Sequence, residues 1–229
     1  MSLPIYIGWD STEEAAYEVC KHSLLAHASE DLEITPIKQH LLREYDLFWR
    51  GLDPLASTEF SMTRFMTPYL SGYKGWSLFM DCDFMWRNDV VKVFDYADPK
   101  YAVLVVKHDY RPKELIKMNG ALQTQYPRKN WSSLMLINCG HPSVIESLGL
   151  QTVNEAPPAD LHRFRWAKDG EIGELPLTFN YLEGWHTKED CPDPVAVHFT
   201  RGGPWLSAYK NVEYADEWNL INAEVLSNG

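Results

Sequence analysis

Short apolar runs separated by longer amphipathic stretches organise this chain. Pro4-Ile5-Tyr6-Ile7-Gly8-Trp9-Asp10 has strand length and closes on a polar turn, predicting a short buried strand. Ser11 and Glu14 stand at capping-box spacing, so a helix carrying Ala15, Val19 and Leu24 is expected next. Leu32 to Ile37 alternates weakly and contains Pro36, which fits an edge or irregular strand. Gln39 to Trp49 reads as helix. So does Ser61 to Tyr69, with Pro68 disturbing its end. Trp76 to Met80 is an apolar run of strand length, ended abruptly by Asp81-Cys82-Asp83. Tyr101 to Val106, Ser133 to Ile137, Glu171 to Leu177 and Val195 to Phe199 read as further strands. Arg111 to Trp131 is polar and reads as partly helical or looped. After the Gly202-Gly203-Pro204 turn, a polar, aromatic tail is expected to run to about Asn228. Strands alternating with helical stretches imply an α/β fold: a mainly parallel sheet with helices on both faces.

Composition narrows the classes. The 229 residues are 45% apolar and 13% aromatic, enough for a sizeable core, so one globular unit over 1–229 is expected and disorder is not. The formal net charge of -11, without a basic run, argues against nucleic acid as a partner. The surplus of carboxylates favours a divalent cation instead. Cys20, Cys82, Cys139 and Cys191 form no CxxC pair and match neither a zinc site nor a disulfide framework. No basic-then-apolar leader and no apolar run near ~18 residues is visible, so a reduced cytoplasmic protein without a transmembrane segment is expected. A catalytic domain cut from a longer parent would look the same.

Asp81-Cys82-Asp83 carries the strongest chemical signal. In extended chain, residues two apart point to the same side. Two carboxylates leaving a buried strand together are costly unless something positive neutralises them. Mn²⁺ or Mg²⁺ would do so and reach onward to phosphate oxygens; a solvated Asp turn is the alternative. His198 closes the apolar run Val195-Ala-Val-His-Phe199 and reads either as a hydrogen-bonded structural residue or as a metal ligand. An imidazole joined to two carboxylates suits Mn²⁺.

The stretch from Ser77 to Phe94, with Asp-x-Asp followed by apolar residues and then Asp89, resembles the corresponding region of glycosyltransferase family 8, which includes glycogenin and bacterial lipooligosaccharide galactosyltransferases. Four further segments resemble that family in the same order: the opening strand ending at Asp10; Ser61-Met-Thr-Arg64-Phe; Ser132-Ser133-Leu-Met-Leu-Ile-Asn138; and His198-Phe-Thr-Arg-Gly-Gly-Pro-Trp205. The departures are Trp131 where the family has Asn, Ser133 where it has Gly, and Gly203 where a phosphate-binding Lys is expected. In place of an Asp-Gln-Asp stretch stands Leu161-His162-Arg-Phe-Arg-Trp166-Ala-Lys-Asp169.

The resemblance implies a GT-A, Rossmann-like fold, with a nucleotide-sugar-binding half over 1–106 and an acceptor half over 107–229. It implies a retaining hexosyltransferase using a UDP-sugar donor and a glycan or other hydroxyl acceptor. Asp81, Asp83 and His198 would hold the metal. Gly8, Trp9, Asp10, Arg64, Cys82, Arg201 and Gly202 would bind the nucleotide-sugar, with Arg201, Gly202 and Gly203 standing in for the missing Lys. The alternatives are a core Trp9, an Asp10 beside the helix cap, an Arg64 salt bridge to Asp81 or Asp83, and a plain Gly-Gly-Pro turn. Ser132, His162, Trp166 and Asn180 fall to the sugar or acceptor side. Spacing alone places His162, Trp166 and Asp169 on one helical face, either as a sugar platform or as a core helix. Asp169 is expected to position the acceptor or stabilise a developing sugar cation. Two rivals stand beside this reading. One is a nucleotide-sugar or glycan-binding protein without turnover. The other is a sugar-phosphate nucleotidyltransferase, which Gly8-Trp-Asp-Ser-Thr-Glu-Glu14 disfavours because it lacks a basic, Gly-rich loop.

Overall fold

The computed structural model describes residues 2–51, 56–109 and 127–228. Its elements in chain order are β1 (Leu3–Gly8), α1 (Glu14–His27), β2 (Leu32–Ile37), α2 (Gln39–Glu44), α3 (Thr67–Leu70), β3 (Trp76–Met80), β4 (Phe84–Trp86), β5 (Val103–Val105) and β6 (Leu134–Asn138). There follow α4 (Pro142–Ser147), α5 (Leu150–Glu155), α6 (Pro158–His162), β7 (Ile172–Glu174), β8 (Tyr181–Leu182), β9 (Ala196–His198) and α7 (Ala215–Asn228).

The main sheet has the order β2-β1-β3-β6-β5-β7. β1 pairs in parallel with both β2 and β3, β5 pairs in parallel with β7, and β6 alone is reversed between β3 and β5. This is the mainly parallel mixed sheet expected from the sequence. Ile5, Ile7, Leu78, Phe79, Met80, Val103, Val105 and Leu134 to Ile137 are all fully buried, which is why these strands read as continuous apolar runs. Pro36 sits in β2, the edge strand. The Leu3 amide donates to Asp31 O and the Trp9 amide to Ile37 O, so odd-numbered residues of β2 bond β1 and the Pro36 nitrogen faces outward, costing no ladder bond. Strands from either side of residue 106 share this one sheet.

α1 buries Ala16, Tyr17, Val19, Cys20, Ser23 and Leu24, an apolar face at helical spacing, and packs against β4 and α7. A second, three-stranded sheet, β4-β9-β8, was not anticipated. It pairs Phe84 with His198 and Leu182 with His198. The four cysteines are buried free thiols.

Several local expectations are corrected. Ser11 does not cap α1: the helix begins at Glu14, its Ncap Glu13 makes no side-chain cap bond, and the Ser11 hydroxyl donates to Glu59. The helix expected over 39–49 stops at Glu44. The one expected over 61–69 divides into a 3₁₀ turn, Thr63–Met66, and α3. Pro68 lies in the first turn of α3, where a missing N–H is harmless, so it starts a helix rather than disturbing an end. The polar tail contains a 14-residue helix, α7. The expected partly helical stretch over 111–131 falls largely outside the described residues; its last part, Trp131–Ser133, is a 3₁₀ turn leading into β6. Among the described residues no helix is long and apolar enough to cross a membrane.

Candidate metal centre

Asp81 and Asp83 occupy the link between the two sheets, and both ends of that link are tied down. The Asp81 amide donates to the Ser133 carbonyl at 2.9 Å, and the Asp83 carbonyl accepts the Phe199 amide at 3.0 Å. Cys82 between them is fully buried, with Sγ 3.5 Å from a Glu13 carboxylate oxygen. β9 then brings His198 against the pair. One ligand atom from each of Asp81, Asp83 and His198 lies within 4.8 Å of the others.

His198 is held on three sides. Its ring stacks on Phe84 at 4.4 Å between centroids, with planes 16° apart. Its Nδ1 lies 3.0 Å from Asn180 Oδ1, while Asn180 Nδ2 donates to Ser133 Oγ at 2.9 Å. The Asn180 carbonyl oxygen therefore takes a proton from Nδ1, and Nε2, the nitrogen that would serve a metal, faces Asp83 Oδ1 3.2 Å away. Arg64 is buried; its Nη1 lies 2.7 Å from Asp81 Oδ1 and donates to the Ser132 carbonyl at 2.8 Å. Among the described residues neither Asp81 Oδ1 nor Asp83 Oδ1 has an aligned hydrogen-bond donor, so the Arg64 contact is a charge pair rather than a directed bond.

The electrostatics are those of a crowded anionic site. Burial lifts the Asp81 carboxyl well above the usual carboxylate range; Arg64 pulls it down and Asp83 pushes it up. Burial also raises Glu13, with Asp83, Asp10 and Asp81 adding to the shift and the Cys82 thiol opposing it. Two inner oxygens lacking aligned donors and a neighbouring acid held towards its neutral form together fit a divalent cation. Two carboxylate oxygens and one imidazole nitrogen are a donor set for a divalent metal.

The other expected site residues take varied places. Arg64 and Ser132 join the centre through the bonds above, and Ser132 Oγ lies 2.9 Å from His162 Nδ1. Asn180 supports His198. Gly8 faces the Phe60 ring so closely that a Cβ there would overlap it. Trp9 is half-buried under the Lys38 ammonium, 4.6 Å from its ring centroid. The Asp10 carboxylate accepts the Thr12 amide and hydroxyl and the Glu59 amide, at 2.6 to 2.9 Å. Arg201 Nη2 spans both Glu183 oxygens at 3.2 and 3.3 Å, over Gly184, and Gly202 (φ 124°) donates to Phe199 O at 2.7 Å.

The shared helical face of His162, Trp166 and Asp169 does not form. α6 ends at His162 and Phe164 takes φ 57°, so Trp166 is buried against Leu161 O while Asp169 turns outward. The Asp169 side chain is 87% exposed and ion-paired with Arg128 at 2.6 Å. Sequence reasoning missed Glu13, Glu183, Phe84 and the supporting role of Ser133. The only available signal was the departure at Ser133 itself, since a hydroxyl there is what Asn180 requires.

Over 217 residues the chain is 51% identical to Protein CDI of Arabidopsis thaliana, covering 93% of this chain and 83% of that protein. No protein-family model matches it. Among solved structures it is similar to the bifunctional glycosyltransferase WbbM (TM-score 0.67, 13% identity, 99% of this chain and 51% of that one). It is also similar to glycosyltransferase GlyE of Streptococcus pneumoniae TIGR4 (0.64, 13%, 100% and 63%). A third likeness is to galactosyltransferase LgtC, solved with donor and acceptor sugar analogues (0.60, 11%, 97% and 96%). The chain thus spans about half of WbbM and under two-thirds of GlyE. At these identities the likeness establishes the fold, which is GT-A.

Proposed function

Because the chain belongs to the family of Arabidopsis thaliana Protein CDI and has the fold of glycosyltransferases, we propose that it is a metal-dependent glycosyltransferase, a divergent relative of family 8, moving a hexose from a UDP-sugar to a hydroxyl acceptor with retention. The observation that carries this reading is the convergence of Asp81, Asp83 and His198 within 4.8 Å where the sheet's parallel strands end. In open α/β sheets ligands gather at that edge.

In this proposal Asp81, Asp83 and His198 hold Mn²⁺ or Mg²⁺, which when bound would neutralise the leaving diphosphate. Residues 1–106 form the nucleotide side and 107–229 the acceptor side. Arg64 and Arg201 are the cations near which diphosphate oxygens would lie, each already oriented by a carboxylate, Asp81 and Glu183. Gly8, Trp9 and Asp10 would meet the base and ribose. Cys82 and Gly202 present backbone to the donor. Ser132 and His162 face the sugar side, and Trp166 and Asn180 shape it from behind. A retaining route needs no strong protein base, because the leaving phosphate oxygen takes the acceptor's proton on the same face. Asp169 would assist an acceptor only by leaving Arg128. That pairing is the observation favouring the second reading, a donor-binding protein without turnover.

Thermal unfolding with UDP, GDP, ADP and CDP, each with and without Mn²⁺, tests the site. A ligand at a hundredfold excess over Kd adds about 2.7 kcal/mol, or roughly 5–11 °C for a chain of this size. The expected result is a shift with UDP that requires Mn²⁺ and disappears in Asp81→Ala. No shift with any nucleotide, or one indifferent to metal and to Asp81, overturns the assignment. UDP release from a UDP-sugar on adding water or candidate acceptors then separates enzyme from binder.

A further inference from the structure

His108 stands three residues beyond β5 and is not used by the reading above. β5 runs in the same direction as β3, with β6 between them, so His108 and Asp81 leave the sheet at the same edge on either side of β6. The backbone there is fixed. The His108 amide donates to Val106 O at 3.1 Å, and its carbonyl accepts Trp131 Nε1 at 2.9 Å. Trp131 opens the turn whose next residue, Ser132, holds Arg64 against Asp81. On its other side, the His108 ring lies 5.4 Å from the ring of His186, in the loop after β8.

The ring itself is anomalous. His108 is 6% exposed, and among the described residues neither Nδ1 nor Nε2 has a hydrogen-bond partner. Buried polar groups are nearly always partnered, and an orphaned one costs about 1–3 kcal/mol. A core histidine with a purely structural role would be expected to use at least one nitrogen. Among the described residues, Asp81 Oδ1 and Asp83 Oδ1 are buried and unpartnered in the same way, and His198 of that centre is near enough to act on the His108 ring electrostatically. Burial holds His108 well below the usual imidazole range, and His186 and His198 add to the effect. The ring is therefore neutral near pH 7, with one donor and one acceptor unused, which suits an anion poorly. A hydroxyl both donates and accepts, and two adjacent hydroxyls of a pyranose supply one of each.

We infer that His108 is a sugar-recognition residue, its two ring nitrogens bonding hydroxyls of a sugar bound beside the Asp81-Asp83-His198 centre. The inference rests on the glycosyltransferase reading for its ligand class; the sugar is either the donor's or the acceptor's.

Titration calorimetry on the full chain with Mn²⁺ compares wild type, His108→Phe and His108→Gln. The probes are UDP, UDP-glucose, UDP-galactose, and methyl glucoside and methyl galactoside added after UDP. His108→Phe is expected to leave UDP affinity and the unfolding midpoint undiminished, since its ring nitrogens bond no described residue. It should weaken a sugar-bearing probe about tenfold. His108→Gln, which keeps a donor and an acceptor, should recover most of that loss. The effect falls on the UDP-sugars if the hydroxyls are the donor's, and on the methyl glycosides if they are the acceptor's. Equal affinity of wild type and His108→Phe for every sugar probe overturns the inference, as does a wild type that binds none of them. Absence of UDP binding in wild type overturns the proposed function instead, and the methyl glycosides alone then decide His108.

Discussion

Asn180 is where the proposed metal chemistry is most exposed to test without touching a ligand. Its amide carbonyl takes the His198 Nδ1 proton at 3.0 Å, and its Nδ2 donates to Ser133 Oγ at 2.9 Å. In Asn180→Ala the Ser133 hydroxyl keeps a partner, because it donates to Asn130 O at 2.7 Å. The His198 Nδ1 proton does not, so one buried donor is orphaned. That costs about 1–3 kcal/mol, or roughly 2–12 °C in unfolding midpoint for a chain of this length. Losing the bond also removes what keeps the proton on Nδ1 and the ring in place, so Nε2 is no longer reserved for a metal. Outer partners of metal-bound histidines are typically worth about 10- to 100-fold in affinity. Mn²⁺ binding followed by electron paramagnetic resonance should therefore weaken by about that factor in a variant that stays folded by circular dichroism. Asn180→Asp, which keeps the acceptor oxygen, should retain most of the affinity. A folded Asn180→Ala with wild-type Mn²⁺ affinity would refute the reasoning, since the tautomer lock would then have no bearing on the centre.

Other outcomes follow from the same geometry. Asp81 and Glu13 titrate above the usual carboxylate range in the folded chain, whereas in the unfolded chain they titrate near ~4. As pH rises past that lower value the unfolded state ionises first, so metal-free stability should fall until the folded groups have also ionised, then level off. Mn²⁺ affinity should rise through the same window, and Glu13→Gln should flatten the stability slope; unfolding midpoints from pH 4 to 9, with and without Mn²⁺, read both. Gly184→Ala places a Cβ inside the Arg201 guanidinium at a residue with φ 71°. It should break the Glu183 pair and destabilise by about 1–3 kcal/mol. Denaturant unfolding checks the cost, and loss of metal-dependent UDP binding would tie Arg201 to the diphosphate.

The centre was legible in the sequence because its parts are strong local signals. An apolar run of five residues ending in Asp-x-Asp leaves few choices for where Trp76 to Met80 stops, and β3 stops there. Glu13 carries no such mark: it is adjacent to Glu14 and as polar, and only folding brings it near Asp10, Asp81 and Asp83. The helices between Pro142 and His162 were missed because five or six residues are too few to show a helical period. α7 read as a tail because its polar positions dominate; Ala215 and Trp218 are its buried residues, and the helix depends on packing against α1. His162, Trp166 and Asp169 show the converse error. Their spacing fits a helix, but the left-handed Phe164 breaks the chain between them, and the backbone preference of one residue outweighed a weak pattern.

The two margins of the main sheet bear on how the molecule behaves in company. Open sheet edges invite other chains to add strands, the first step towards polymerisation. β7 offers only three residues for such growth, and β2 carries Pro36, which cannot donate to a new neighbour. Neither border is a good template, so growth of this sheet by strand addition is disfavoured at both ends.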